Sequence, residues 1–178
     1  MAEDRDRKEQ RSERDERFLR ALGLITVNFA ALEHQIQMHI AALLRHAVKP
    51  EDTKEGTFYL RTAQLMTAEL QFYKLLTLFD SFYKHVEKNP SRRSKMDELV
   101  KRAGGLANKR DTVVHSAWFF AEERNQRLIR TKTTAKKKKN RPINLRSEAQ
   151  EVQIEELEKL ADELWEVGHD IELVFRNR

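Results

Sequence analysis

Six histidines occur in this 178-residue chain, and His115 has the neighbours that chemistry needs. It lies in Asn108-Lys109-Arg110-Asp111-Thr112-Val113-Val114-His115-Ser116-Ala117-Trp118, an arginine and a histidine five residues apart with a carboxylate between them. An imidazole titrates near neutral pH and serves as general acid or base. A guanidinium presents a planar fork of donors that fits a phosphate. The same residues also have a purely structural reading. Asp111 and His115 stand at the helical i,i+4 spacing, where a carboxylate orients or charges an imidazole. Arg110 falls on an apolar stripe, where it either snorkels or pairs with Glu33. His34, His39 and His46 are five and seven residues apart, not the four of an HExxH pair, so they are assigned to the surface. No metal and no cofactor are expected.

Charge supplies the second chemical feature. The chain carries a formal net charge of +5 and has a pI near 9.4. Lys132, Lys136, Lys137, Lys138, Lys139, Arg141 and Arg146 form a basic run with no acid among them. Those seven charges exceed the whole-chain net, so the remainder is slightly acidic. Such a run either grips RNA phosphates, each contact steepening the salt dependence of binding, or is simply a solvated tip. No RNP, KH, zinc-finger or P-loop signature accompanies it. Trp118, Phe119 and Trp165 are assigned to the core and not to base stacking.

Four amphipathic segments must position these groups. Phe18, Leu22, Ile25, Phe29, Leu32, Ile36, Ile40 and Leu43 recur at threes and fours on one helical face. Pro50 stops that helix, and 49–57 is a polar loop. A second helix is predicted over 58–88, with Leu65, Ala68, Phe72, Leu75, Phe79, Phe82 and Val86 inward; Asn89-Pro90 ends it. A third begins at Ser91 or Ser94, runs along Met96, Leu99, Ala103, Leu106, Arg110 and Val113, and contains Gly104-Gly105, read as close packing or a kink. From 118 to 147 the helical period fails, which predicts a basic β-hairpin or irregular excursion. The last helix is predicted over 148–176. The predicted fold is therefore all-α, a four-helix antiparallel bundle spanning 18–178, with the excursion before its last helix. Residues 1–17 alternate acids and bases and form a charged extension, either helical or frayed.

The absence of cysteine excludes thiolate chemistry, disulfides and Cys-based zinc sites. No apolar run suits a bilayer, and the N-terminus has no apolar signal core, so no membrane association is expected and the cytoplasm is the default location.

A helical bundle with Arg-Asp-x-x-x-His closing its third long helix resembles the HEPN superfamily (higher eukaryotes and prokaryotes nucleotide-binding). Arg110, Asp111 and His115 match its arginine, polar and histidine places. Ser116-Ala117-Trp118 is similar to several bacterial members, and the Ala31-Leu32-Glu33 step resembles their acidic position. HEPN toxins paired with nucleotidyltransferase antitoxins usually have Tyr two residues after the histidine, where this chain has Ala117. The resemblance implies a metal-independent endoribonuclease, a toxin or phage-defence protein, with RNA as substrate and an antitoxin as possible partner. In that reading His115 is general base or acid, Arg110 stabilises the scissile phosphate and Asp111 fixes the imidazole. The products are a 2′,3′-cyclic phosphate and a 5′-hydroxyl. Five residues of ideal helix turn through about 500°, leaving Arg110 and His115 about 140° apart. HEPN ribonucleases bring such motifs together by dimerising, so a homodimer belongs to the expectation. The alternative is a non-catalytic HEPN-like module that binds nucleotide, RNA or a protein partner.

Overall fold

The computed structural model describes residues 2–47, 56–121, 127–136 and 144–177. Within them the order is α1 (Ala2–Ala47), α2 (Gly56–Thr67), α3 (Phe72–Val86), α4 (Pro90–Val114), β1 (Ala117–Ala121), β2 (Arg127–Lys136), β3 (Asn144–Glu151) and α5 (Ile154–Arg176). The protein is mostly helical, with one antiparallel sheet of order β1-β2-β3. No helix among the described residues is long and apolar enough to cross a membrane. The chain divides into two compact units, Met1–Thr26 with Asn108–Ala161 and Val27–Ala107 with Asp162–Arg178.

In the first unit, the charged segment before residue 18 is the beginning of α1, helical from Ala2. Its long side chains find partners: the Arg14 guanidinium sits 4.0 Å over the Phe120 ring, and Arg17 bridges to Glu155 at 2.9 Å and Glu158 at 2.8 Å. Strand alternation places Trp118, Phe120 and Leu128 on one face of the sheet, since Phe120 pairs with Leu128. That face meets Phe18 of α1, whose ring centroid lies 5.4 Å from Trp118 and 5.7 Å from Phe120. Phe119 points the other way and is 48% exposed, so its assignment to the core is corrected.

The excursion before the last helix is a three-stranded meander, longer than a hairpin. Residues 148–151, predicted as helix, belong to β3, paired with β2 through Lys132↔Glu148 and Arg130↔Gln150. Their helix-forming composition yields to cross-strand partners: Arg127 bridges Glu151 at 2.8 Å, and the Thr133 and Ser147 hydroxyls lie 2.7 Å apart. The Val152 N–H then bonds the Leu128 carbonyl at 3.0 Å, and α5 starts two residues later.

In the second unit the predicted 58–88 helix is two helices. Tyr59, Ala63 and Thr67 are the inward face of α2, and continuing that phase would bury 70–71, 74 and 78. The apolar residues come instead at Phe72, Leu75, Leu76, Phe79 and Tyr83. One unbroken helix cannot bury both sets, so the chain breaks at 68–71. Leu70 N–H bonds the Thr67 carbonyl at 3.0 Å, and Gln71 is extended at ψ 147° before α3 starts. Leu65 and Ala68, predicted inward, are both exposed, Leu65 at 84%.

The start of α4 also differs from the prediction. Asn89 is its N-cap: its side-chain oxygen accepts from the N–H groups of Ser91 at 2.9 Å and Arg92 at 3.3 Å. Pro90 occupies the first helical place, where its missing N–H does no harm. Gly104 lies against Tyr73, whose hydroxyl donates to the Gly104 carbonyl at 3.0 Å, but a Cβ there would make only an ordinary 3.6 Å contact with the Tyr73 ring, so packing does not require the glycine.

These phases give a direct check. Phe79→Ala, at a fully buried ring, is expected to lower unfolding free energy by about 3–5 kcal/mol. Leu65→Ser is expected to change it by less than about 0.5 kcal/mol in the same denaturant titration.

Candidate functional site

The Arg110–His115 segment is the end of α4 and lies wholly in the first unit. The Arg110 guanidinium is half-buried, and its Nη1 donates to Asp111 Oδ1 at 3.0 Å. Asp111 therefore clasps its neighbouring arginine. Among the described residues it makes no hydrogen bond to the imidazole, which is the role the HEPN resemblance implies. His115 is exposed. Its N–H still bonds the Asp111 carbonyl at 3.1 Å, so the helical ladder persists as far as the histidine. Ideal helical geometry accordingly keeps Arg110 and His115 about 140° apart around the axis.

A helix leaves its last carbonyls without intrahelical donors. Here the Val113 carbonyl accepts from Ser116 N–H at 3.4 Å and from Trp118 Nε1 at 2.9 Å. The Ser116 hydroxyl donates to the Thr112 carbonyl, and the Thr112 hydroxyl donates to the Asn108 carbonyl at 3.0 Å. His115 thus sits on a turn whose ends are pinned.

One member of the basic run reaches this turn. Lys132 on β2 extends its Nζ to 3.5 Å from Thr112 Oγ1, between Arg110 and His115 in the sequence. Lys136 is the last residue of β2. Lys137, Lys138, Lys139 and Arg141 lie outside the described residues. Glu33 is half-buried on α1 in the second unit.

The second unit holds a titratable cluster that the spacing of histidines did not disclose. His39 is 6% exposed, which corrects its assignment to the surface. Its ring stacks on Phe175 at 3.9 Å, and its Nε2 lies 3.0 Å from Glu172 Oε2. Gln35 donates to the same carboxylate oxygen at 3.2 Å. Burial pushes the Glu172 carboxyl up, but the Arg176 hydrogen bond and the His39 charge outweigh it, leaving the group below its ordinary 4.5. A cavity of about 580 Å³ opens here, lined by His39, His46, Glu87, Lys88, Glu172 and Phe175 among others. Glu87 is also held below 4.5, first by the Asn89 N–H at 2.8 Å, against burial, and then by Arg92. Among the described residues no three His, Asp or Glu side chains converge to hold a metal ion. Trp165, assigned to the core, is 60% exposed on α5.

The sign of the pH dependence follows from the depressed carboxyls. Their stabilising contribution is complete above 4.5, the value expected in the unfolded chain, and is lost as pH falls through the lower folded values. In Glu87→Gln the denaturation midpoint should fall less steeply below pH 4.5 than in wild type, measured by far-UV CD across an acid series. An unchanged slope would show that Glu87 does not contribute to that limb. No family model, no curated protein and no solved structure matches the chain.

Proposed function

We propose that this protein is a metal-independent endoribonuclease of HEPN type that works as a homodimer. The observation that carries the reading is the end of α4, where an exposed His115 follows a carboxylate-clasped Arg110 on a pinned turn with Lys132 beside it. RNA brings its own nucleophile, the 2′-hydroxyl, so the protein has only to move protons and stabilise charge. His115, open to solvent, takes the 2′-hydroxyl proton or gives one to the 5′-oxygen leaving group. Arg110 stabilises the charge that develops on the phosphorane oxygens, with Lys132 as a second cation. The angular separation on one helix is what a second copy overcomes, His115 of one protomer serving the phosphate held by Arg110 of its partner. Within this reading α2 and α3 together take the place of the second long helix of a four-helix antiparallel bundle, and the sheet is an insertion before the last helix. A cytoplasmic defence protein or toxin, restrained by an antitoxin, is the setting that fits.

One observation favours a second reading, a non-catalytic module that binds RNA, nucleotide or a protein partner. Asp111 already occupies the Arg110 guanidinium, which suits a structural arginine.

Purified protein is expected to cleave tRNA or bulk RNA in EDTA, leaving 2′,3′-cyclic phosphate ends. His115→Ala should lower the rate by about 10²–10⁴-fold, and Arg110→Ala should also remove activity, with helical CD unchanged in both. If both variants cleave like wild type, the site assignment is wrong. If wild type cuts no RNA yet binds it with a salt dependence that disappears when Lys136, Lys137, Lys138 and Lys139 become alanine, the binding module is the correct reading.

A further inference from the structure

The indole of Trp165 stands 60% exposed on α5, in a unit where Phe72, Phe79, Tyr83 and Phe175 are buried and Tyr73 is 41% exposed. One turn further on, the His169 ring lies parallel to it, with centroids 5.3 Å apart and an interplanar angle of 5°. The two rings form one wall of a groove of about 430 Å³ whose opposite wall is α1, at Asn28, Ala31 and Gln35. Gly168, which also lines the groove, lets the Gln35 carboxamide come close: a Cβ there would lie 3.2 Å from Gln35 Oε1. That carboxamide is fixed, since its nitrogen donates to the Gly168 carbonyl at 2.9 Å and to Glu172 at 3.2 Å, leaving its oxygen as the acceptor.

The charges near the groove are already engaged. Glu172 is held by His39 and Arg176, while Glu166 and Asp170 are held by Arg102 at 2.8 and 3.2 Å. What remains to recognise a ligand is a flat π surface with a fixed amide edge beside it. Those features suit a nucleobase better than a phosphate: a base needs a ring to stack on and one hydrogen-bond partner in plane. We propose that the Trp165 groove is a nucleobase platform, on which an unpaired base of single-stranded RNA stacks against the open indole face while Gln35 meets its edge. The choice of RNA rests on the ribonuclease reading; the stacking chemistry rests on the groove alone.

The probe is a fluorescent hexamer of 2′-O-methyluridine, which lacks a nucleophilic 2′-hydroxyl and so survives an active enzyme. Wild-type protein should bind it with quenching of tryptophan emission. Trp165→Leu should lose that quenching and bind about 10-fold more weakly, the scale of one lost base stack, and Trp165→Phe should recover most of the affinity. The ratio of wild-type to Trp165→Leu affinity should be the same at low and high salt, because stacking releases no counterions. An abasic strand of equal length should bind wild type and Trp165→Leu alike. Equal binding of the uridine hexamer by wild type and Trp165→Leu would overturn the platform, as would equal quenching by the abasic strand. Emission that shifts on protein dilution and ignores RNA would overturn it too, by showing a second copy over the indole. The two readings fail separately. Normal RNA cleavage with Trp165-independent binding removes only the platform, and Trp165-dependent binding with no cleavage removes only the nuclease.

Discussion

The last carbonyls of α4 have no further helix to bond to, and the indole N–H of Trp118 supplies one of the missing donors at 2.9 Å. Much of the first unit follows from that bond. Trp118 belongs to β1, and its ring packs on Phe18 of α1. One side chain therefore ties the helix end, the first strand and the N-terminal helix together. Strand pairing then carries Lys132 on β2 back to Thr112. His115 occupies the short connection between the two pinned ends, which limits how far it can move. A free carbonyl there would otherwise have to face water or remain unsatisfied, a cost comparable to a lost hydrogen bond.

Charge is organised by pairing as well as by composition. Five acids of α5 are matched locally: Glu155 and Glu158 with Arg17, Glu166 and Asp170 with Arg102, Glu172 with His39 and Arg176. Most of these pairs are exposed and individually add little stability. Their effect is on the field that a ligand meets. Beside Trp165 the two charged groups that line the groove, Glu172 and Arg176, are paired with each other.

The pattern of burial explains why the second unit needs more helices than its sequence period implies. The inward faces of α2 and α3 are out of phase, and the break at 68–71 lets Tyr59 and Ala63 on one side and Phe72 and Phe79 on the other each be buried. The buried His39 is retained because Glu172 and Phe175 receive its edge and its face. An imidazole buried without such partners would carry a desolvation cost.

The sequence by itself determined the helical character, the inward stripes of α1, α4 and α5, the loss of helical period near Trp118 and the placing of Arg110, Asp111 and His115 at a helix end. These are local properties: side-chain period and breakers act over a few residues, so they can be read from a single chain. Tertiary structure decided the rest. Residues 148–151 are a strand because β2 offers partners, against their own helix-forming composition. Asp111 turns to its neighbour Arg110 and not to His115, although the i,i+4 spacing favours the histidine. His39 is buried and Trp165 is exposed, the reverse of what the residue types suggest, because burial depends on what packs from distant elements and not on the neighbouring sequence.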